Sequence, residues 1–144
     1  MAACGRCSCT PSDGLYFNLV SFTDQEADTI VVRRFVKGSN FTQLADTLLV
    51  DENNLRFSRS NDTLSMASSG DGAAVLHPSY DHEMYFPAVS KTTRVSDMSE
   101  ERASQPCGPF TGGKVGCMNP IRSVNLDGQR VTIDDRNWRL FIRK

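Results

Sequence analysis

The 144-residue sequence predicts a β-dominated α+β domain, made of antiparallel hairpins or a meander with one or two short helices packed on the sheet. Three observations support this class. Two alternating apolar segments within residues 122–133 meet at Asp127-Gly128, a pair favoured in two-residue hairpin turns. Several other segments are rich in β-branched and aromatic residues. The length and the 39% of apolar residues are sufficient for one hydrophobic core.

The hairpin around Asp127-Gly128 has a defined expected register. A two-residue turn places Leu126 opposite Gln129 and Val124 opposite Val131. Because side chains alternate between the two faces of a strand, one face is apolar and the other polar. The apolar face, which we expect in the core, consists of Val124, Leu126, Val131 and Ile133, and the polar face consists of Ser123, Asn125, Arg130 and Thr132.

The C-terminal residues continue the alternation as a last strand. Its two faces are Trp138, Leu140 and Ile142 on one side, and Arg139, Phe141 and Arg143 on the other. The first set is expected in the core, and the strand is expected to complete a three-stranded antiparallel meander with the hairpin. The second set, with Arg130, is a candidate protein-interaction surface. The alternative is that a helix from residues 39–49 covers Phe141.

The N-terminal half contains two strand candidates and one helix candidate. Residues 15–22 and 30–36 are dense in β-forming side chains and are expected to pair as a hairpin. Residues 39–49 begin with a suitable helix cap, Ser39 or Asn40. Their apolar members at helical spacing are Phe41, Leu44, Ala45 and Leu48. A short helix is therefore predicted there, followed by a strand.

The domain organisation follows from composition. Residues 1–13 are small, polar and cysteine-rich, and are expected to form a flexible head. Residues 14–144 are expected to form a single globular domain, with a long irregular loop region at about 78–118. Within that region, residues 83–86 and 92–95 are strand-like and residues 96–103 are expected to form a helical turn or two.

Composition also restricts the location and the partners. The net charge is −1 and the basic residues are scattered, which disfavours nucleic acid as a partner. The sequence has no apolar run long enough to cross a membrane and no signal-peptide pattern at its N-terminus. Its five cysteines are an odd number, which leaves one thiol outside any closed disulfide framework. These features predict a soluble, intracellular protein in the reducing cytoplasm.

The N-terminal cysteines Cys4, Cys7 and Cys9 are the first candidate for chemistry. Thiolates at this spacing bind zinc when further ligands complete a tetrahedron, and zinc is the one cofactor that the sequence allows. The same cluster is a candidate for S-acylation, which would tether the domain to a membrane. The remaining interpretation is an unstructured tail with free thiols.

A second candidate combines His77 and His82 with the late cysteines Cys107 and Cys117. The histidines stand beside the carboxylates of Asp81 and Glu83, and imidazole and carboxylate groups bind divalent metals. His82 is also a possible general base. This requires the residues to converge in one pocket; otherwise the histidines belong to a polar surface loop. Residues 108–114 match a phosphate-loop pattern in form, but Val115 stands where the magnesium-binding hydroxyl is needed.

The favoured function is a non-enzymatic protein-interaction or scaffold domain, because none of these patterns forms a complete catalytic motif. One alternative is a small metal-binding protein or enzyme that uses the histidines and late cysteines. The other is a membrane-tethered domain with acylated N-terminal cysteines.

Overall fold

A computed structural model describes residues 5–12, 14–51, 56–67, 76–106, 117–134 and 139–144. Within these ranges the chain forms strands and one short 3₁₀ turn, Pro87–Val89, and no α-helix. The strands are β1 (Arg6–Ser8), β2 (Tyr16–Val20), β3 (Ile30–Val36), β4 (Leu44–Val50), β5 (Arg56–Ser60), β6 (Thr63–Ala67), β7 (Tyr80–Phe86), β8 (Lys91–Glu100), β9 (Ser104–Pro106), β10 (Ile121–Leu126), β11 (Gln129–Thr132) and β12 (Arg139–Arg143). The domain is therefore β-dominated as predicted, without the predicted helices.

The strands form two larger sheets and one small one. A six-stranded antiparallel sheet has the order β11-β10-β8-β7-β3-β4, and a four-stranded sheet has the order β12-β2-β6-β5. A separate two-stranded sheet joins β1 to β9. Both larger sheets contribute to one cluster of buried apolar side chains, such as Phe17 and Leu19 from β2 and Met84 and Val95 from β7 and β8. The core thus lies between two sheets.

The predicted hairpin is confirmed. Strands β10 and β11 pair with Val124 opposite Val131 and Leu126 opposite Gln129. Asp127 and Gly128 have φ values of 49° and 83°, the positive angles that a type I′ turn needs. Val124 and Ile133 are buried, and Leu126 and Val131 pack against the same cluster. The expected apolar face is therefore the core face.

The three-stranded C-terminal meander is wrong. Strand β12 does not join the hairpin; it pairs parallel to β2 in the other sheet, with Leu140 opposite Phe17 and Ile142 opposite Leu19. Leu140 and Ile142 are buried as expected, and Trp138 lies outside the described residues. Alternation determines which face of a strand is buried, but it carries no information on which strand lies beside it.

The N-terminal hairpin is also wrong. Residues 15–22 and 30–36 form strands at the expected places, β2 and β3, but the two strands belong to different sheets. Strand β2 has β12 and β6 as neighbours, and β3 has β4 and β7. Each strand is thus occupied on both sides, so no edge is left for β2 and β3 to pair.

The helices predicted in residues 39–49 and 96–103 are replaced by strands β4 and β8. Asn40 and Phe41 have positive φ values of 55° and 58°, which end any regular helix or strand at that point. Residues 44–50 then pair with β3, and the apolar residues at helical spacing do not share one buried face: Leu44 and Ala45 are exposed, whereas Leu48 packs against the core. Tertiary pairing overrides local helix propensity here.

The region 78–118 is more regular than predicted. Strands β7, β8 and β9 lie within it, and residues 107–116 are outside the described part of the chain. The predicted flexible head is also held in place over residues 5–12, because β1 pairs with β9 and the backbone N–H of Cys9 donates to the carbonyl oxygen of Ala103 at 2.9 Å. Across the described ranges, no helix is long and apolar enough to cross a membrane.

Candidate functional site

The three cysteines that the structure describes, Cys7, Cys9 and Cys117, are disulfide-bonded and are not thiolates. Cys9 and Cys117 form a disulfide with a Cα–Cα distance of 5.0 Å, and Cys7 is disulfide-bonded as well. Cys4 and Cys107 lie outside the described residues. A disulfide sulfur offers neither the thiolate that zinc binding needs nor the thiol that S-acylation needs. Over the described ranges, no three His, Cys, Asp or Glu side chains converge as a metal-binding group.

The two histidines lie together, and both rings accept hydrogen bonds from the backbone of residues 77–79. His82 is completely buried, and its Nε2 accepts a hydrogen bond of 3.2 Å from the backbone N–H of His77. The Nδ1 of His77 accepts one of 3.1 Å from the backbone N–H of Ser79. Burial, assisted by the electrostatic effects of Arg34 and His77, lowers the pKa of His82 to about 3. The His82 ring is therefore neutral at ordinary pH and holds the backbone at residue 77, while the His77 ring holds the backbone at residue 79.

A pH dependence of stability follows from His82. Its pKa is about 3 in the folded protein and 6.5 in the absence of structure, so the unfolded chain binds more protons between these values. The contribution of His82 to the free energy of unfolding is therefore complete above pH 6.5 and decreases as the pH falls towards 3. We expect the free energy of unfolding to drop by about 2 kcal/mol between pH 7.5 and pH 5 through this residue.

Urea unfolding at the two pH values measures this effect. His82→Phe removes the titrating ring and is expected to show a smaller loss of stability between them than wild type, whereas His77→Gln retains the loss. An equal loss in wild type and His82→Phe would contradict the assignment. The comparison uses differences between pH values, so a lower overall stability of His82→Phe does not affect it.

The predicted interaction surface is divided between the two sheets. Arg139, Phe141 and Arg143 lie together on the outer face of β12, where 42% of the Phe141 surface is exposed. Arg139 lies over the ring of Tyr16, with 5.6 Å from its guanidinium carbon to the ring centroid. Arg130 is on β11, in the six-stranded sheet. No helix of the described chain covers Phe141.

A polar cleft lies where the six-stranded sheet meets the N-terminal segment. Its volume is about 470 Å³, within the range of small-molecule sites. The walls come from four separate parts of the chain, residues 11–12, Lys37, residues 77–79 and residues 97–100, with Arg130 from β11. We call this the bulge cleft, because one wall is a β-bulge.

The bulge is in β8, opposite β10. Ser96 pairs with Asn125 and Ser99 with Ser123, so Asp97 and Met98 together face Val124 alone. Asp97 has a φ of 49°, in the left-handed region. Bulges of this kind redirect side chains and are frequent beside functional sites.

Asp81 holds the bulge and the Lys37 turn together. Its carboxylate is 4% exposed, and its two oxygens accept hydrogen bonds from the backbone N–H of Gly38 at 3.0 Å and of Asp97 at 3.2 Å. A buried carboxylate is costly unless it is fully hydrogen-bonded. Asp81 thus connects two walls of the bulge cleft, the bulge and the Lys37 turn, through their backbone N–H groups.

The other two walls are held by polar side chains in the same way. His82 binds the backbone of His77, as described above. Oε1 of Glu100 accepts hydrogen bonds from the backbone N–H of Ser12 at 3.1 Å and from Nδ2 of Asn119 at 2.9 Å. Buried polar groups at Ser12, Asp81 and His82 therefore surround this one cleft.

A second feature lies on the outer face of the six-stranded sheet. Glu83 is 12% exposed in its side chain and binds two arginines, with Oε1 at 2.9 Å from Nη1 of Arg33 and Oε2 at 3.0 Å from Nε of Arg94. The two arginine side chains are 46% and 52% exposed. The negative charge is thus shielded beneath two positive charges that face solvent.

Apolar groups adjoin these arginines. The guanidinium carbon of Arg94 lies 4.5 Å from the centroid of the Phe41 ring, which packs edge-on against Phe35 at 5.5 Å. Leu44, opposite Phe35 in the sheet, is 55% exposed. We call Arg33, Phe41, Leu44, Glu83 and Arg94 the arginine face.

Sequence reasoning missed both features. Arg33 and Arg34 form a visible basic pair, but Arg33 binds Glu83 and Arg34 binds Asp46, on opposite faces of β3. Alternation along β3 signals that Arg33 and Phe35 share a face. Glu83 and Arg94 come to lie beside Arg33 because β7 pairs with β3 and β8 pairs with β7. The sequence does not specify this pairing.

The His82 ring is enclosed, and the bulge cleft and the arginine face present fixed charges and hydrogen-bond donors. Such groups bind charged partners by complementarity. Comparison with protein-family models, with curated proteins and with solved structures found no match to this chain.

Proposed function

We propose that this chain is a non-enzymatic protein-interaction domain that binds an acidic segment of a partner protein through the arginine face. The observation that carries the proposal is the Glu83 carboxylate shielded beneath Arg33 and Arg94. A single buried negative charge leaves an excess of one positive charge at the surface. Each arginine binds Glu83 through one nitrogen. The remaining N–H donors of its guanidinium group are complementary to carboxylates, and we infer that a partner supplies them.

The apolar part of the face supports a protein rather than a simple ion as the partner. Phe41 and Leu44 offer apolar contact area beside the charges. Arginine and aromatic side chains are enriched among residues that dominate binding energy at interfaces. An acidic segment that also carries apolar residues would match both parts of the arginine face.

An oxidising setting is proposed for this domain, in place of the reducing cytoplasm expected from the odd cysteine number. The support is the Cys9–Cys117 disulfide together with the disulfide bond of Cys7. Structural disulfides persist in oxidising compartments and are rare where thiols are kept reduced. Mass spectrometry of the protein from its native source, alkylated before reduction, tests this; free thiols at Cys9 and Cys117 would contradict it.

Binding to the arginine face is testable with a labelled acidic peptide. The probe is a fluorescein-labelled 12-residue peptide of alternating glutamate and leucine, followed by fluorescence anisotropy. Wild type is expected to bind with an affinity that falls as salt rises. Arg33→Gln and Arg94→Gln are each expected to weaken binding about five- to tenfold, because each removes one charge contact and leaves Glu83 paired with the other arginine.

The matched control is Phe141→Ser with Arg143→Gln on the outer face of β12, which was the surface predicted from the sequence. These changes are expected to leave the affinity unchanged. Absence of binding by wild type, or equal affinities in wild type and both arginine variants, would reject the arginine face. Loss of binding in the control variant would move the binding surface to β12.

A further inference from the structure

We infer that the bulge cleft binds the oxyanion group, carboxylate or phosphate, of a small ligand. This site shares no residue with the arginine face, although Lys37 and Asp97 also line a smaller neighbouring cavity together with Phe41. The inference does not depend on the proposed function. It rests on two cations, Lys37 and Arg130, that line the cleft and have N–H groups beyond those used in their hydrogen bonds within the described residues. It rests also on the buried polar side chains that hold the walls.

The two cations are anchored on consecutive backbone carbonyls of the bulge. Nη1 of Arg130 donates to the carbonyl oxygen of Asp97 at 2.8 Å, and Nζ of Lys37 donates to that of Met98 at 2.9 Å. The bulge thus draws two positive charges, one from β11 and one from the turn after β3, to the same cleft. Anchored cations lose less conformational freedom on binding than free ones, which favours affinity.

Donors remain on both cations. All bonds recorded for Arg130 among the described residues use Nη1, to Asp97 and to Oδ1 of Asn125. Its Nε and Nη2 carry the paired N–H groups that match an oxyanion in a bidentate manner. Lys37 has three N–H bonds, of which one reaches Met98.

The carboxylates that line the cleft are already engaged. Oδ2 of Asp97 lies 3.1 Å from Nη1 of Arg130, and Oε1 of Glu100 accepts from the backbone of Ser12 and from Asn119. No carboxylate of the described residues pairs with Lys37, whose recorded bond is to a carbonyl. Lys37 is therefore the cation offered to an incoming oxyanion, against the negative charge of Glu100, whose hydrogen-bond partners here are neutral.

The geometry of the walls fits a built binding site. Asp81, His82 and Ser12 are buried polar residues, and each of them, or its hydrogen-bond partner, belongs to a wall of the cleft. Their hydrogen bonds offset part of the cost of burial, although Nδ1 of His82 has no partner among the described residues. Their concentration around one cleft of about 470 Å³ is consistent with a site held rigid for a ligand rather than with a random surface depression.

Titration of ¹⁵N-labelled protein, followed by amide chemical shifts, tests the inference. The probes are inorganic phosphate and malonate, each compared with sodium chloride at equal ionic strength. Saturating shifts are expected for Ser12, Lys37, Ser79, Ser99 and Arg130 with at least one probe, with a Kd of about 1 mM or lower. The arm that saturates identifies phosphate or carboxylate as the preferred group.

Lys37→Met and Arg130→Gln are each expected to weaken binding about tenfold or more. Arg59→Gln, which removes an exposed arginine paired with Asp24 in the other sheet, is expected to leave it unchanged. Shifts that match the chloride series, saturation at residues elsewhere, or unchanged affinity in both cleft variants would each overturn the inference. Two independent variants keep the test valid if one of them fails to fold.

Discussion

Replacing both Cys9 and Cys117 with alanine is expected to lower the free energy of unfolding by about 4 kcal/mol. The disulfide joins residues separated by 108 positions, so it restricts most of the unfolded chain. Such a restriction removes conformational entropy from the unfolded state, and its effect grows with loop length. The folded state also loses the link between the N-terminal segment and residues 117–119, where Thr10 and Asn119 are hydrogen-bonded.

Guanidinium unfolding of the oxidised proteins, with linear extrapolation to water, measures this loss. The double variant is preferable to chemical reduction, because a reducing agent would also open the disulfide of Cys7. Thr10→Val serves as the local control: it removes one side-chain hydrogen bond to Cys117 and is expected to cost about 1 kcal/mol or less. A loss below about 1 kcal/mol in the cysteine variant would show that the crosslink has little part in stability.

Asp81→Ala is expected to lower the free energy of unfolding by about 3 kcal/mol and to abolish oxyanion binding in the bulge cleft. The substitution leaves the backbone N–H groups of Gly38 and Asp97 without their acceptor. Hydrogen bonds to a charged group contribute about 1.5–3 kcal/mol each, and a buried donor left unsatisfied carries its own penalty. The bulge and the Lys37 turn would then lose their common support.

The matched control is Asp46→Ala on the same sheet. Asp46 is 40% exposed in its side chain and pairs with Arg34, so its loss is expected to cost about 1 kcal/mol or less. Urea unfolding measures both variants, and the phosphate and malonate titrations measure the cleft. Equal losses of stability in the two variants would contradict the role of Asp81 in holding the bulge and the Lys37 turn. Unchanged oxyanion affinity in a folded Asp81→Ala protein would contradict it as well.

Local features of the fold were predictable where chemistry acts between near neighbours. The Asp127-Gly128 turn has backbone angles that these two residue types tolerate, and it sets the register of β10 and β11 without help from the rest of the chain. The burial of Leu140 and Ile142 follows in the same way from alternation along one strand. Strand β3 has the bounds that the sequence predicts, because five of the seven residues of Ile30–Val36 are β-branched or aromatic.

The helix predicted near residues 39–49 failed for a physical reason. Leu44, Ala45 and Leu48 satisfy a helical spacing, but the backbone of Leu44–Val50 hydrogen-bonds to β3 instead. Helix propensity is a weak preference, and the ladder that β3 offers outweighs it. Leu44 remains exposed as a result and becomes part of the arginine face.

The candidate sites could not be predicted because each is assembled from distant parts of the chain. Arg33 and Glu83 are 50 positions apart, and Gly38 and Asp81 are 43 apart. The histidine pair was noticed in the sequence, yet its role depends on burial of His82 beneath the sheet, which no local pattern signals. The odd cysteine number suggested reduced thiols, whereas Cys9 and Cys117 meet through pairing of β1 with β9 and the bridge of Thr10 with Met118.

The β-rich class, the hairpin at Asp127-Gly128 and the buried face of several strands follow from local sequence patterns, because turn chemistry and alternation act within a few residues. The pairing of strands that are distant in the chain follows from the tertiary fold, and the two sheets, the disulfide, the bulge cleft and the arginine face depend on it. Many strand edges offer similar backbone hydrogen bonds, so these bonds alone do not select a neighbour. The choice depends on how the side chains of all the strands pack into one core. The groups proposed to bind partners therefore come together through strand pairing. Asp81 holds those of the bulge cleft in place, and Glu83 holds those of the arginine face.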